Sequence, residues 1–409
     1  MNDFAANRIE STDKTGRSNS RRTLVVAGLA HSLHDGLTDM IYVLLPVWQL
    51  QFALGYGALA LLRAVYVGTL ASLQVSSGHL ARHWNARTVL ALGTLLSATG
   101  FALAGFSGGL VGLCAALALA GAGGSTQHPL ASAAVSRAYG EKARGPLGTY
   151  NFAGDLGKAT LPPAVSLLLT VMVWRSALWV IAGLGIVVAV LIRWLMPLAP
   201  TPPVAHETVT RAHRGAAGKG AFGLLFAIGV LDTAPRMGFL LFLPFLLKAK
   251  GASLTTVGLA LSLIFIGGAF GKAACGWLGE RFGLLATVVA TEVGTAAGIL
   301  TVLALPLAPT LAFLPLLGVM LNGTSSVLYG TVPELVTAER IERAFALFYM
   351  GILGSSALAP VLYGQLGDAV GPVRASVAAA LTALVVVPLM LILSPQLAPS
   401  EKAQDSSRQ

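Results

Sequence analysis

Two histidines and two aspartates near the amino terminus are the first candidates for chemistry. His31, His34, Asp35 and Asp39 lie within 24–50, a mostly apolar stretch long enough to cross a bilayer as a helix. At about 100° per residue, His31, Asp35 and Asp39 share one helical face. Carboxyl and imidazole groups held away from water can exchange protons near neutral pH. We expect Asp35, assisted by His31, to bind and release a proton, with Asp39 as a further candidate.

Two other interpretations of this cluster stay open. The four side chains could instead join neighbouring helices through fixed hydrogen bonds. Two histidines and two acids could also bind a divalent metal, although their spacing lacks a complete set of ligands. We expect neither a bound metal nor a cofactor.

Further ionisable residues lie inside later apolar runs. Asp155 and Lys158 are three residues apart, and Asp232 and Arg236 are four apart, so each couple can meet on one helical face. Protonation of Asp155 would release Lys158 to hold an anionic group, which adds Asp155 to the proton-binding candidates. A permanently neutralised pair is the simpler alternative. The candidate substrate-binding residues are His34, Tyr42, Arg63, His128, Tyr150, Asn151, Lys158, Asp232, Arg236 and Tyr329.

His128 is ambiguous because a proline follows it. Pro129 frees a backbone carbonyl within the helix. The imidazole of His128 could satisfy that carbonyl, or it could face a cavity as a hydrogen-bond or proton partner.

Apolar runs of membrane-spanning length must position these residues. The chain is 55% hydrophobic and 11% charged, with mean hydropathy +0.75, which excludes a soluble globular protein. Lipid cannot satisfy backbone groups, so the runs must be helices or a closed barrel, and they lack the alternation of a barrel. We predict an all-α membrane protein with twelve spans at about 24–50, 58–80, 87–107, 109–136, 145–170, 176–196, 221–247, 254–278, 284–305, 310–333, 343–366 and 373–394.

The spans repeat once along the chain. Asp35 corresponds to Asp232 and Gly154 to Gly351, each at an offset of 197 residues. Such a long period indicates two six-helix bundles that arose by duplication and share a pathway. The predicted organisation is a cytoplasmic tail at 1–22, a bundle at 23–196, a linker at 197–219, a bundle at 220–396 and a tail at 397–409.

Basic residues are concentrated in alternate loops, on the side of the amino terminus. The positive-inside rule therefore places both termini in the cytoplasm. Contact with anionic lipid accounts for the net charge of +10, so we predict lipid partners and no nucleic-acid binding. Each chain has both halves of a pathway, which favours a monomer. The chain has no phosphate-binding loop for ATP. Any movement of a solute along the shared pathway must therefore be driven by a gradient of an ion or of the solute itself.

The loop between the eighth and ninth spans, GWLGERFG at 276–283, resembles the loop signature of the major facilitator superfamily. Its glycine would let two helices approach, and its acid and arginine would form a charge lock between helix ends. The corresponding loop of the first half keeps the glycine but has an arginine where the acid is expected. The motif residues are Gly78, Arg82, Gly276, Glu280 and Arg281.

A narrower resemblance involves the first, fourth and fifth spans. His31, His34 and Asp35, together with the pair His128-Pro129, resemble the fosmidomycin-resistance subgroup of efflux permeases. This resemblance implies a bacterial-type cytoplasmic (inner) membrane. Two bundles that rock about a central site predict a secondary active transporter that works by alternating access. The resemblance further implies proton-coupled efflux, by antiport, of a small polar or anionic drug or metabolite.

Two alternatives to efflux remain. Within transport, the chain could take up an organic anion or a metal chelate. From another class, it could be an intramembrane enzyme that uses its histidines and aspartates. The internal repeat speaks against an enzyme, which needs no second bundle, and we predict no enzymatic activity.

Overall fold

This computed structural model describes the backbone of residues 2–197, 220–337 and 340–397. The side chains of residues 2–17, Arg82 and Glu342 are outside that description. The predicted linker, beyond Pro197, and the predicted tail beyond Leu397 also fall outside it.

The chain divides into two compact units. The first is Met1–Ala205 together with Ala252–Ser262, and the second is His206–Gly251 together with Leu263–Gln409. The helices of the first part of the chain are α1 (Asn2–Phe52), α2 (Tyr56–His83), α3 (Ala86–Ala104), α4 (Leu110–Gly124), α5 (Gln127–Tyr139), a 3-10 turn (Gly140–Lys142), α6 (Arg144–Val171) and α7 (Trp174–Leu195). Those of the second part are α8 (Ala221–Ala249), α9 (Leu254–Ala304), α10 (Leu307–Thr331), a 3-10 turn (Val332–Glu334), α11 (Ile341–Val370) and α12 (Pro372–Leu397).

Helix α1 begins earlier than predicted. It starts at Asn2, so residues 2–22, predicted as a tail, form the first part of this helix. The physical reason is that no proline interrupts this polar stretch, so nothing in it prevents helix formation.

Nine helical segments of the described chain are long and apolar enough to cross a membrane. Helices α1 and α6 are not among them. These two helices carry most of the predicted proton-binding and substrate-binding residues, whose polar side chains lower the hydropathy of both helices.

Three predicted spans differ in detail from the observed helices. The predicted span 109–136 is broken at Ser125 and Thr126, between α4 and α5. Pro129 has no N–H, so the carbonyl of Ser125 loses its partner four residues on. The predicted spans 254–278 and 284–305 both lie within α9, which contains a non-helical residue, Gly283, with φ 82° and ψ 163°.

In the first unit, α1 packs mainly against α6, and α3 packs against α4 and α7. Helices α1 and α6 cross closely at Gly157, which has no side chain. A Cβ atom added to Gly157 would collide with the carbonyl of Ser32. In the second unit, α8 packs against α11 and α12. Buried side chains of these three helices, including Leu225, Phe348 and Met390, form its core.

Candidate functional site

The carboxylate of Asp35 is the centre of a polar cluster in the first unit. Lys158 Nζ lies 3.1 Å from Asp35 Oδ2. On the other oxygen, His31 Nε2 lies 3.5 Å and His128 Nε2 4.0 Å from Asp35 Oδ1. These side chains come from α1, α5 and α6, and they surround one buried acid with a cation and two imidazoles.

Glycines of α6 and α4 make room for the cluster. A Cβ atom added to Gly154 would lie 2.6 Å from Asp35 Oδ2 and 2.6 Å from His31 Cε1. A Cβ atom added to Gly124 would lie 2.9 Å from His34 Cε1. The glycine-rich stretches of these helices therefore allow the side chains of α1 to fit between them.

The imidazole of His31 is held from two directions. Its Nδ1 lies 2.9 Å from the carbonyl oxygen of Tyr150. Its ring stacks on the Tyr150 ring, with centroids 4.1 Å apart and an angle of 14° between the planes. A carbonyl only accepts, so Nδ1 must carry the hydrogen. In the neutral ring, Nε2 then faces Asp35 Oδ1 with its lone pair at 3.5 Å, so this nitrogen is the one that can take up a proton beside the carboxylate.

His128 is the more accessible imidazole of the cluster. Its ring meets the rings of His31 and His34 edge-on, at centroid distances of 5.2 and 5.1 Å. The side chain of His128 is 37% exposed, whereas that of His31 is 5% exposed. His128 is therefore the most exposed of the four side chains that meet around Asp35.

Lys158 lies between two acids. It is 3.8 Å from Asp155 Oδ1, the neighbour expected from the sequence, but closer to Asp35. Sequence spacing could not identify the Asp35 contact because the two residues are on different helices. Asn151, a further predicted substrate-binding residue on α6, is exposed.

A second buried ion pair lies further along α1. Arg63 Nη2 of α2 is 3.6 Å from Asp39 Oδ1. The guanidinium of Arg63 also lies over the Tyr42 ring, 4.6 Å from its centroid. This second group of side chains consists of Asp39, Tyr42 and Arg63, and in it Asp39 has a cationic partner.

The structure corrects the predicted pair of Asp232 with Arg236 in the second unit. Arg236 Nη1 donates to Asn322 Oδ1 at 3.4 Å and to Ser325 Oγ at 3.3 Å. Among the described residues, no ion pair within 4 Å joins it to Asp232, although the two charges interact at longer range. Pro235 lies between the two residues in α8, and the guanidinium turns instead toward the polar side chains of α10.

The carboxyl group of Asp232 instead contacts that of Glu292, from α9. Glu292 lies in an apolar run, and no residue near it in the sequence indicated which side chain it would contact. Tyr329, a predicted substrate-binding residue, packs against the Phe348 ring at a centroid distance of 5.2 Å.

The loop motifs differ from their predicted roles. A Cβ atom added to Gly78 or Gly276 would meet no described atom within 4 Å, so neither glycine marks a close helix approach. Arg281 lies over the ring of Trp277, 5.4 Å from its centroid, and Glu280 forms no ion pair with any described residue. The aromatic ring offers Arg281 a cation–π contact in place of the expected charge lock. The side chain of Arg82 is outside the described part.

The ligand atoms of His31, Asp35 and His128 lie within 4.8 Å of one another, the arrangement that a metal ion would need. Lys158, at 3.1 Å from Asp35, opposes this interpretation because its positive charge would repel a cation in the same place. The geometry suits proton exchange and the binding of an anion better than it suits a metal.

The sequence is similar to curated transporters over most of its length. It is 26% identical over 319 residues to human (Homo sapiens) monocarboxylate transporter 11, a match that covers 73% of this chain and 66% of the relative. The chain thus spans just under two thirds of that relative. The mouse (Mus musculus) protein of the same name is 27% identical over 316 residues, covering 73% of this chain and 70% of the relative.

Solved structures share the fold. A bacterial homolog of the human lysosomal transporter Spinster, in an inward-facing and occupied conformation, has a TM-score of 0.77 at 14% identity, covering 91% of this chain and 96% of that one. A nucleoside transporter has a TM-score of 0.75 at 13% identity, covering 91% and 99%. At such low identity the likeness concerns the fold alone.

The Major Facilitator Superfamily profile matches twice, over residues 27–231 and 225–409. The two matches together include nearly all of the sequence, and they follow the internal repeat. With its apolar helices, this chain is an integral multi-pass membrane protein of a transporter family, and it belongs to the Major Facilitator Superfamily.

Proposed function

We propose that the protein is a secondary active transporter that couples the movement of a small organic anion to that of a proton, by alternating access. The observation that supports this function is the buried contact of 3.1 Å between Lys158 and Asp35. An ammonium group that is paired with an acid can be offered to a substrate when a proton neutralises the acid.

The strength of this pair sets the order of events. Two unit charges about 3 Å apart attract each other by about 5 kcal/mol at an effective dielectric constant of about 20. A substrate anion therefore competes poorly with ionised Asp35 for Lys158. After a proton reaches Asp35, Lys158 keeps only its longer contact with Asp155, and an anion can bind in place of the lost charge.

The proton and the anion then occupy the site together and cross the membrane in the same direction. His128 and His31 deliver the proton, since one is partly exposed and the other lies 3.5 Å from the carboxylate. Among the alternatives from the sequence, this geometry favours uptake of an organic anion. The name of the human relative, monocarboxylate transporter 11, supports a carboxylate as the anionic group.

Proton-driven efflux of a polar or anionic drug or metabolite is the second candidate. The residues that resemble the fosmidomycin-resistance permeases, among them His31, Asp35 and His128, are brought together in one cluster. An antiporter of this kind would release a proton as its substrate binds, and the substrate would leave as protons enter.

The proposed arrangement has twelve spans in two six-helix bundles. An unbroken helix of 51 residues would be about 76 Å long, far more than the roughly 30 Å core of a bilayer, so α9 must be two spans that meet at Gly283. Helix α4, with 15 residues, is about 22 Å long and completes its span with α5. We propose a monomer in a bacterial-type inner membrane with cytoplasmic termini, driven by the proton gradient without a bound cofactor.

Transport by proteoliposomes under an imposed pH gradient tests this function. With an acidic exterior and a panel of radiolabelled short monocarboxylates, we expect at least one to accumulate inside vesicles that contain the protein. The variant Asp35→Asn imitates the protonated acid, so it should still exchange labelled for unlabelled substrate while gradient-driven accumulation falls at least tenfold. Asp368→Asn, a change at an exposed acid, should behave like the unchanged protein.

The direction of flux separates the two candidates. Expulsion of substrate toward the acidic side would support efflux by exchange and reject co-transport. Flux that ignores the gradient, or full gradient-driven accumulation by Asp35→Asn, would show that Asp35 does not couple protons to transport.

A further inference from the structure

Two acids meet in the interior of the second unit. Asp232 of α8 is 5% exposed, and Glu292 of α9 is 1% exposed. Their carboxyl groups are in hydrogen-bonding contact. Such a contact is unusual within a membrane-embedded unit, because two buried negative charges repel each other and lose their hydration.

A hydrogen bond between two carboxyl groups requires a hydrogen. Ionised carboxylates only accept hydrogen bonds, so one of the two must carry a proton for the contact to be favourable. Asp232 Oδ2 is buried and receives no hydrogen bond from any donor of the described residues. We propose that Asp232 and Glu292 share one proton and form a proton-binding site in the second unit, separate from Asp35.

The neighbouring groups fit one negative charge but not two. Thr324 Oγ1 lies 2.9 Å from Glu292 Oε1, to which it can donate. Arg236 is the cation that interacts with both acids, and Ser325 of α10 interacts with Asp232. One guanidinium balances one carboxylate, so the shared proton leaves this polar group without net charge.

A comparison with Asp35 explains why the proton belongs to this pair. Asp35 has the ammonium of Lys158 at 3.1 Å, which stabilises its ionised form. Within the described residues, neither Asp232 nor Glu292 has a cation within 4 Å, because Arg236 donates to Asn322 and Ser325 instead. The proposal concerns the protein without substrate and without a gradient, and it holds whether or not transport is coupled to protons.

Infrared spectroscopy of the purified protein at neutral pH, without substrate or gradient, tests the proposal. A protonated carboxyl group has a carbonyl stretching band distinct from that of carboxylates, and the band shifts on exchange into D2O. We expect this band in the unchanged protein and its loss in Glu292→Gln and in Asp232→Asn. In either variant, one amide can donate to the remaining carboxylate, so the contact survives without the proton.

Matched control variants show which carboxyl group gives rise to the band. Glu141→Gln and Asp368→Asn make the same chemical changes at exposed acids and should leave the band unchanged. Asp35→Asn should also leave it unchanged, and loss of the band in that variant would assign the proton to Asp35 and overturn the proposal. A band that persists in both Glu292→Gln and Asp232→Asn would overturn it as well.

The unchanged protein alone also provides a test, which matters if either variant fails to fold. Absence of a deuterium-sensitive carboxyl band at neutral pH would refute the shared proton without any substitution. Because none of these spectra involve substrate, failure of the transport assay would leave this result intact, and the converse also holds.

Discussion

At the scale of single residues, the site depends on an absent side chain as much as on the charged ones. Gly154 faces Asp35 and His31, and a Cβ atom there would lie 2.6 Å from each. Neither side chain can retreat easily, because Asp35 is held by Lys158 and His31 by Tyr150. The glycine therefore fixes the distance between α1 and α6 at the point where we propose that a proton is exchanged.

We predict that Gly154→Ala lowers both stability and transport. Overpacking of a buried site costs about 1–3 kcal/mol, and here it would also displace Asp35 from Lys158. The thermal unfolding temperature of the purified protein should fall, and gradient-driven uptake should fall by more than the amount of folded protein does. Both are measured on the same detergent-purified and reconstituted samples.

The control is Gly183→Ala in α7, where an added Cβ atom would meet no described atom within 4 Å. Alanine favours a helix over glycine by about 1 kcal/mol, so this variant should be as stable as the unchanged protein or more so. Equal behaviour of the two variants would show that Gly154 has no special role.

The sequence identified most members of the site but not their partners. Helical spacing reveals neighbours three or four residues apart, and it therefore proposed Lys158 as the partner of Asp155. The shorter contact, to Asp35, joins two helices, and so does the contact of Asp232 with Glu292. Contacts between helices depend on how the helices are rotated and packed, which a single sequence does not specify.

At the scale of helices, α9 contains one backbone conformation that only glycine adopts without strain. Gly283 has φ 82° and ψ 163°, a conformation that is essentially confined to glycine. It separates the two predicted spans at 254–278 and 284–305. The chain therefore turns where the loop resembling the superfamily signature ends.

We predict that Gly283→Ala destabilises the protein by about 1–2 kcal/mol, because an L-residue in this conformation brings its Cβ atom against the backbone. Gly276→Ala, seven residues earlier, should be neutral, since the added Cβ atom would meet no described atom within 4 Å. Thermal unfolding of the two purified variants measures the difference. Equal unfolding temperatures would contradict the strained turn.

Helix limits were predicted well where proline, glycine or charge ends an apolar run. The predicted span 221–247 corresponds to α8, Ala221–Ala249, and 176–196 corresponds to α7, Trp174–Leu195. The break between α4 and α5 was not foreseen, because a proline inside a membrane helix is often accommodated without a break. Local sequence does not determine which of these outcomes the surrounding helices favour.

At the scale of the whole molecule, the two copies of the duplicated unit keep their packing and differ in their chemistry. Gly154 and its counterpart Gly351 both face the first helix of their own unit, since a Cβ atom on Gly351 would collide with Phe226 of α8. Asp35 and its counterpart Asp232 have diverged, because one contacts a lysine and the other a glutamate. The duplication thus supplied two similar scaffolds, and substitutions gave each its own buried acid site.

The proposed twelve spans make a prediction about which side of the membrane each loop faces. If α9 turns at Gly283, residues at its two ends lie on the outer side and Gly283 lies on the cytoplasmic side. After removal of Cys114 and Cys275, single cysteines at the exposed positions Ser253 and Ala308 should react with an impermeant maleimide on intact cells.

A cysteine at Glu280, exposed and three residues before the turn, should react only after the cells are permeabilised. The three positions distinguish the possible paths of α9. A single crossing would place Ser253 and Ala308 on opposite sides, because an odd number of spans would separate them. Two crossings place them on the same side with Glu280 on the other.

The basic loops predict which side of the membrane Glu280 faces, since Arg281 belongs with the cytoplasmic positive charges. Labelling of Ala308→Cys only in permeabilised cells would therefore reject the twelve-span arrangement, whereas labelling of Glu280→Cys on intact cells would reverse the orientation.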